Sequence, residues 1–505
     1  MFLLMIPKKY FEEVILVETN KVINGEKLTF GEFLRWIGIW FFLSTLSGFS
    51  RSDFWSSKEI RNDCGAPYRV NCWMSGRRFN DILVALKYTK LQPPPYKDKF
   101  WEVRELLRAW KDNMTKIFSP SYICCLDESM SILYNRWTCP GWIYVPRKPH
   151  PFGNEYHTIC CGYSGVLFDL ELVEGKDAPK EIPSDPTNRC GNTVGLLLRL
   201  TSSIYNTGRI IVLDSGFCIL QGIIELRKLG LFAHAVIKKR RYWPRYVKGN
   251  DIDAHMNNMD VGTQQVMSGK LDSLEFYIYN MKEPAFNMKV MSTYGDLNIP
   301  ENSDNTRRFY KNNEGNFVER FFRYTTIFYN HFRFRHLIDD HNNLRHQSPS
   351  LEETWVTHRW PNRVFSFVLA VAEVNAFVAF RFFVWQPRNK RELTLAQFRR
   401  KLAIELIYNK YIKEDEEMKD EKARRLKRNR ATDHELCTAP CHARRWLGKK
   451  WDKSAVDKYQ RYTCTNHGCI RRTRTYCVCS MGVSLCQSYF TEHVEDNSEG
   501  RSSDC

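Results

Sequence analysis

Residues 122–127 read YICCLD, an apolar run that leads directly into an aspartate, and residues 210–214, IIVLD, repeat the arrangement. Short apolar runs of this kind predict buried β-strands. Ligand and metal sites of α/β sheets lie at such strand ends, so Asp127 and Asp214 are candidate site residues. An aspartate in this place can equally serve as a helix cap or a turn residue.

The neighbouring sequence alternates strands and helices. Helical stretches at Asn192–Tyr205 and Phe217–Lys228 separate the later strands, and Tyr163-Ser164-Gly165 predicts a hairpin turn. The order strand, hairpin, helix, strand, helix, strand is typical of a mixed α/β sheet. We predict its strands at Tyr122–Leu126, His157–Gly162, Val166–Val173, Arg209–Leu213 and Leu231–Val236.

Helical patterns flank this region on both sides. Apolar residues recur at helical spacing before residue 120, and residues 361–383 are apolar almost all round, which predicts a buried helix beginning at a proline. From Arg240 to about Asn316 the pattern loosens around one strand pair. We expect helices at Phe30–Phe42, Phe100–Phe118, Phe317–Arg335 and Pro361–Phe383, and the strand pair at Leu274–Tyr279 and Met288–Thr293.

A third acidic feature follows the helix expected at Phe317–Arg335. Asp339 and Asp340 are adjacent, and with Asp127 and Asp214 they permit a site of three carboxylates. Such a site binds two divalent cations in phosphodiester chemistry, and Mg²⁺ fits best because it prefers oxygen ligands. The same two acids, beside several basic residues, could instead form an ion-paired helix cap.

Composition and charge narrow the class of partner. The chain has 505 residues, a hydrophobic fraction of 43% and a net charge of +18, which excludes a disordered or fibrous protein. Residues 386–475 contain 25 Lys and Arg against 12 Asp and Glu, so they hold a surplus of 13. Such a stretch indicates a polyanion, most often nucleic acid, although a solvated tail has the same composition.

Cysteine usage points to metal binding. Eight of the 17 cysteines lie at or after Cys437, and the N-terminal apolar run is too short for a secretory signal. No uncharged apolar stretch reaches the length of a membrane span, so we expect no membrane partner. The basic segment Lys419–Arg430 is a candidate nuclear localisation signal or a solvated helix face. Six residues are candidate ligands for structural zinc, with reduced free cysteines as the alternative: Cys464, Cys469, Cys477, Cys479, Cys486 and His493.

Several segments together resemble the piggyBac transposase family. The likeness extends from about residue 30 to residue 493 and rests on an ordered set of segments rather than on one motif. The segments are CCLDESM, RKPHPFGNEYHT, LVEGKD, IIVLDSGF, FYNHFRFRHLIDDHNNLRH and HRWPNRVFSFVLAVAEVNAF.

The resemblance implies an RNase H-like catalytic core with three catalytic aspartates that hold two Mg²⁺ ions. By position these are Asp127, Asp214 and Asp339. Asp340 is the alternative third acid, because the flanking residues depart from the family pattern. A further aspartate found in relatives is replaced by Asn342.

The resemblance also implies a division of the chain. A helical dimerisation and DNA-binding domain is discontinuous around the core, and a small cysteine-rich zinc finger follows it. The expected parts are residues 1–120 (helical, first part), 121–240 (core, first part), 241–316 (insertion), 317–348 (core, last part), 349–430 (helical, second part) and 437–493 (zinc-binding).

Basic residues near the expected core and tail are candidate DNA contacts. Those near the core would touch phosphates, with solvated loop ends as the alternative, and those in the tail would contact DNA through charge. They are Arg147, Lys148, Lys238, Lys239, Arg240 and Arg241 near the core, and Arg471, Arg472 and Arg474 in the tail. In the tail, Tyr489 stands where relatives have a zinc-binding cysteine, so one or two zinc ions remain possible.

Taken together, the residues and the resemblance predict a DNA transposase that acts in the nucleus as a homodimer or larger synaptic assembly. The resemblance implies cleavage of double-stranded DNA at terminal inverted repeats and integration at TTAA targets. The alternative is a domesticated or decayed descendant that binds DNA without cutting it. Tyr489 and Asn342 favour that alternative, whereas the three acidic positions favour activity.

Overall fold

The computed structural model describes most of the chain up to residue 415 and short pieces beyond it. The described ranges are 1–56, 66–93, 98–178, 190–238, 249–271, 273–296, 306–312, 314–385 and 393–415, with residues 417, 421, 436–438, 462–463, 472–473 and 475–477. The chain forms two compact units, Met1–Asn409 and Lys410–Cys505.

The N-terminal part of the first unit is helical, as predicted. Its longest helices run over Phe30–Leu43 and Trp101–Ile117, close to the expected bounds. Thr29 begins the first of these because its hydroxyl accepts a hydrogen bond from the backbone of Glu32 at 3.1 Å. The helices of this part are α1 Lys8–Tyr10, α2 Leu16–Val22, α3 Phe30–Leu43, α4 Gly76–Ala85 and α5 Trp101–Ile117.

A mixed sheet of nine strands forms the centre of the unit. Its strands are β1 Ile123–Ile132, β2 Trp142–Tyr144, β3 Phe152–Cys161, β4 Leu167–Leu172, β5 Ile210–Leu213, β6 Phe232–Val236, β7 Gln264–Leu271, β8 Leu274–Lys282 and β9 Asn287–Ser292. The order is β2-β3-β1-β5-β6-β9-β8-β7, and β4 pairs with β3. Strands β1, β5 and β6 are parallel, whereas β3 is antiparallel to β1. The predicted mixed α/β sheet is therefore confirmed.

Helices connect the parallel strands and flank the sheet. Helix α6, Asn192–Thr201, precedes β5, and α7, Leu220–Lys228, joins β5 to β6. Helix α8, Gly249–Asn257, precedes the antiparallel strands β7, β8 and β9. Because β9 pairs with β6, the expected insertion at 241–316 contributes three strands to the main sheet.

One predicted helix is partly wrong. Phe317–Phe322 is strand β11, which pairs with β10, Thr306–Lys311, in a separate two-stranded sheet. The helix α9 begins only at Thr326 and ends at Phe334. The sequence FVERFF is rich in residues that favour strands, and its pairing partner supplies the backbone hydrogen bonds that a helix would otherwise make internally.

The C-terminal helices return to the N-terminal ones. They are α10 Leu337–Arg345, α11 Leu351–Thr354, α12 Trp360–Phe383 and α13 Leu395–Ile407. A Cβ atom on Gly38 of α3 would lie 2.9 Å from the backbone oxygen of Ala403, so α13 approaches α3 closely at a position that needs glycine. Trp40 of α3 stacks on Trp355 with 4.4 Å between ring centroids.

Helix α12 is the predicted buried helix. Its length and apolarity would suffice for a membrane span, but 89% of its most apolar window is buried inside the protein. Asn375 in its middle bonds both backbone groups of Leu167 on β4, at 2.8 and 2.7 Å. The helix is therefore a core element that the sheet packs against.

Within the second unit, the structure describes four short strands. They are β12 Leu436–Thr438, β13 Tyr462–Thr463, β14 Arg472–Thr473 and β15 Thr475–Cys477, and they pair as β12 with β15 and β13 with β14. Both pairs are antiparallel.

Candidate active site

Asp127 lies inside β1 rather than at its end, contrary to the prediction. The strand continues to Ile132 because its second half pairs with β3, so that Asp127 stands opposite Thr158. Buried hydroxyls occupy the same face as Asp127, and the Ser129 and Thr158 hydroxyls lie 3.0 Å apart. These polar partners let Asp127 and two serines share one face of a strand whose first half is apolar.

Asp214 follows β5 directly, as predicted. Strands β1 and β5 are parallel, and Leu126 pairs with Leu213. Asp127 directly follows Leu126, and Asp214 directly follows Leu213. The two aspartates therefore lie side by side, where the pairing of β1 with β5 ends. The Asp214 side chain is exposed, and its carboxylate accepts a hydrogen bond from the Ser215 hydroxyl at 3.4 Å.

Helix α10 supplies the third acid. Asn342 donates to the backbone oxygen of Glu128 at 3.2 Å, and Arg345 donates to the backbone oxygen of Met130, so one face of α10 lies along β1. Asp339 precedes Asn342 by three residues and therefore shares that face, whereas Asp340 is turned by roughly 100° around the helix. Of the two alternatives, Asp339 is the residue on the side of Asp127.

The carboxyl group of Asp127 lies within electrostatic range of both other acids. The pKa of Asp127 is raised to about 7, chiefly by burial and in smaller part by the charges of Asp339 and Asp214. The backbone N–H of Glu128, which donates to Asp127 at 2.8 Å, and the Lys148 ammonium act in the opposite direction. A partly buried carboxylate beside two others is costly to ionise unless a cation is present.

This donor set fits divalent metal ions. All the donors are carboxylate oxygens, which Mg²⁺ and Mn²⁺ prefer, and two of the three acids are exposed enough to admit a hydrated ion and a substrate. Asp127, Asp214 and Asp339 are the residues that would hold such ions.

A network of buried charges holds α10 in place. Arg345 pairs with Glu352 of α11, and both side chains are fully buried. The Ser131 hydroxyl donates to the same carboxylate at 2.6 Å, and Arg363 donates to the backbone oxygen of Glu352 at 2.7 Å. Although burial alone would raise it, these cations hold the pKa of Glu352 below its usual range. The network ties α10 and α11 to β1.

Two of the predicted phosphate-binding residues lie beside the acids. Arg147 and Lys148 pair with the Glu128 carboxylate at 3.1 and 3.3 Å, and Lys148 also influences Asp127. Lys238 is exposed two residues after β6. Lys239, Arg240 and Arg241 lie outside the described residues.

A second set of possible metal ligands lies on the other face of β1. Side chains alternate along a strand, so Glu128 points away from Asp127. Glu128 stands opposite His157 on β3, and Glu155 is two residues from His157; ligand atoms of the three lie within 4.8 Å of one another. The pKa of Glu155 is raised to about 7, chiefly by burial and in smaller part by the Glu128 charge. These three residues were not among those predicted from the sequence.

One of the six predicted zinc ligands belongs to the described residues. Cys477 belongs to β15, whereas Cys464, Cys469, Cys479, Cys486 and His493 lie outside the described residues. Of the three tail arginines, Arg472 belongs to β14, and Arg471 and Arg474 lie outside the described residues. The zinc finger and its DNA contacts remain predictions.

Comparisons with known proteins show the family and the fold of the chain. A family model described as Transposase IS4 matches residues 1–377. A cryo-EM structure of a piggyBac transposase synaptic complex with hairpin DNA shares the fold, with a TM-score of 0.59, 16% identity and 79% of each chain covered. No curated protein matches the chain. Since the family model covers about three quarters of the sequence, the chain belongs to the IS4 transposase family, with a piggyBac transposase fold in its α/β core.

Proposed function

We propose that this transposase cleaves DNA strands at terminal inverted repeats and joins the released element to TTAA targets, as a DDD-type enzyme with Asp127, Asp214 and Asp339. The single observation that carries the proposal is the convergence of three carboxylates from β1, the end of β5 and α10. The family membership gives the reaction class, phosphoryl transfer on DNA.

The three acids would hold two Mg²⁺ ions, which when bound would activate the attacking oxygen and stabilise the leaving oxygen of a phosphodiester. The protein's own groups position these acids. The Glu128 N–H orients the Asp127 carboxylate, and Asn342 fixes the helix that carries Asp339. Lys148 lies close enough to balance part of the negative charge and to contact a phosphate of the DNA.

The remaining parts of the chain would hold DNA and assemble the complex. We assign residues 1–120 and 349–430 to a discontinuous dimerisation and DNA-binding domain. In support, α3 packs against α13 and Trp40 stacks on Trp355. Residues 437–493 would bind one or two structural zinc ions and the terminal repeats. The enzyme would act in the nucleus as a dimer or larger synaptic assembly.

A DNA release assay tests this proposal. Purified full-length protein with Mg²⁺ should release a segment flanked by the repeats that border its own coding sequence, and EDTA or Asp127→Asn should abolish release. A gel-shift measurement on the same DNA separates binding from cleavage. If the wild-type protein bound the DNA without releasing the segment, the proposal would be overturned. The chain would then be a transposase descendant that binds DNA without cutting it.

A further inference from the structure

The hairpin of β10 and β11 presents one face made of aromatic and charged side chains. Opposed residues of an antiparallel pair point to the same side, and side chains alternate along each strand. The register therefore places six residues on one face, which we call the aromatic face: Arg307, Phe309, Lys311, Phe317, Glu319 and Phe321.

The opposite face of the hairpin is anchored to the core. Phe322 is buried in a cluster with the strands β8 and β9, and Tyr310 packs against that cluster. Arg308 donates to Glu283 at 2.8 Å, and its guanidinium lies over the Phe332 ring at 5.4 Å. The aromatic face therefore points away from the core and cannot turn inward without breaking these contacts.

The turn of the hairpin is also ordered by its own side chains. The Asn312 side-chain oxygen accepts hydrogen bonds from the backbone of Glu314 and Asn316, at 3.0 and 2.9 Å. Gly315 has a φ of 84°, which suits glycine. The two strands thus hold their register, and the face is preorganised for a partner.

Three phenylalanine rings are exposed on this face. Phe309, Phe317 and Phe321 are 59%, 75% and 62% accessible. Arg307 lies over Phe309 at 4.7 Å and Lys311 over Phe317 at 5.3 Å, so cations stand beside the rings. Exposed apolar groups that cluster in this way mark interaction sites, whereas scattered ones do not.

We propose that the aromatic face stacks unpaired bases of single-stranded DNA. Aromatic rings stack on any base because every base has a π face, and neighbouring cations attract the phosphates that link the bases. Arg307 pairs with the one acid on the face, Glu319, at 3.1 Å, and Lys311 gives the face a net positive charge. The chain belongs to a transposase family, and a transposase acts on DNA, so DNA is the polyanion that this face would meet.

A second copy of the chain fits the face less well. Strand geometry gives the six residues an area of about 14 Å by 10 Å, or roughly 140 Å². Specific protein interfaces bury about 800 Å² per partner, several times more. Stacked bases need no such area, because each ring contributes its own contact.

Photocrosslinking tests the proposal on the full-length protein. A single-stranded oligonucleotide that carries 5-iododeoxyuridine is irradiated in the complex, and mass spectrometry locates the crosslinked peptide. We expect crosslinks within residues 306–322. Phe317→Ala should weaken the affinity for the oligonucleotide, measured from the crosslinking yield, about 5- to 100-fold, the range expected for one stacked base. Phe286→Ala, which removes a ring that is 60% exposed between β8 and β9, should leave it unchanged.

Two results would overturn the proposal. One is crosslinking that occurs only outside residues 306–322. The other is a Phe→Ala variant of the aromatic face that crosslinks as strongly as the wild type but is a monomer by light scattering where the wild type is a dimer. An unchanged melting temperature checks folding, since the rings are exposed. The inference stands apart from the proposed function, because Asp127→Asn should block cleavage and still crosslink.

Discussion

The side-chain amide of Asn342 donates a hydrogen bond to the backbone oxygen of Glu128 at 3.2 Å, next to Asp127 on β1. It thereby fixes the helical face on which Asp339 lies against the strand that carries the first acid. The resemblance gave relatives an aspartate at this position. Here the amide acts as a positioning group, since an amide can donate to a carbonyl whereas an ionised carboxylate cannot.

Asn342→Ala should slow DNA cleavage about tenfold and lower the free energy of unfolding by about 0.5–1.5 kcal/mol, because one hydrogen bond between α10 and β1 is lost. Single-turnover cleavage and urea denaturation measure the two effects. Asn343→Ala, an exposed neighbour on the same helix, is the matched control. Equal cleavage rates in the two variants would refute the positioning role.

Lys148→Gln should reduce the salt dependence of DNA binding. If its ammonium contacts a phosphate, the slope of log K against log salt falls by about 0.9. Fluorescence anisotropy over a range of NaCl concentrations measures the slope. Lys228→Gln removes an exposed lysine at the end of α7 that is also ion-paired, here with Glu225, and should leave it unaltered. A slope that stays at the wild-type value in Lys148→Gln would show that this lysine serves only its ion pair with Glu128.

Arg345→Met should destabilise the protein by about 3–5 kcal/mol, because the fully buried Glu352 carboxylate loses its charged partner. The double variant Arg345→Met/Glu352→Met should recover most of this loss, since it buries no unpaired charge. Guanidinium denaturation of the two variants and the wild type gives the three free energies. A double variant as unstable as the single one would mean that packing, not charge, sets the cost.

His234 makes the fold sensitive to acid. It is fully buried on β6, with its Nδ1 3.0 Å from the Tyr294 hydroxyl and its ring 5.6 Å from that of His331. Burial lowers the pKa of His234 to about 3, and the pKa of His331 is lowered for the same reason. Below its ordinary pKa of about 6.5 the unfolded chain therefore binds a proton that the folded chain does not, and stability falls as the pH decreases.

His234→Gln should remove part of that dependence. Linkage gives one neutral buried histidine a cost of about 2 kcal/mol at pH 5 relative to pH 8. The free energy of unfolding, measured at both pH values, should change less in the variant than in the wild type. His358→Gln, at an exposed position, should keep the full dependence. An identical change in both variants would contradict the assignment to His234.

Much of the fold could be predicted from local patterns, and the errors arose where distant pairing decides. The apolar stretch 361–383 became α12, and the strands before Asp214 and after α7 lie where they were expected. By contrast, β1 continues past Asp127 because β3 pairs with its second half. Phe317–Phe322 became a strand because β10 lies beside it. A single segment contains no information about its partner strand.

The candidate site was predictable in its residue types but not in its geometry. The three acids follow from the sequence pattern and the resemblance, but the choice of Asp339 required the face of α10 that Asn342 and Arg345 mark. Glu128, Glu155 and His157 were missed because a cross-strand register brings them together. The only local sign was the Glu-x-His spacing on β3.

The exposed aromatic residues were also missed. Tryptophan is a largely buried residue type, and Trp36, Trp40 and Trp110 are fully buried. Trp137, however, is 83% exposed beneath the guanidinium of Arg136, at 4.4 Å. The type of a residue indicates how often such residues are buried, but it does not identify the individual residues that are exposed.

The central claim is that Asp127, Asp214 and Asp339 form one catalytic site, and the most direct test is the single-turnover rate of first-strand cleavage in four variants. Asp127→Asn, Asp214→Asn and Asp339→Asn should each lose at least roughly 100-fold. Asp340→Asn, which makes the same chemical change one residue further along α10, should cut at close to the wild-type rate. A full rate in Asp339→Asn together with a lost rate in Asp340→Asn would contradict the claim.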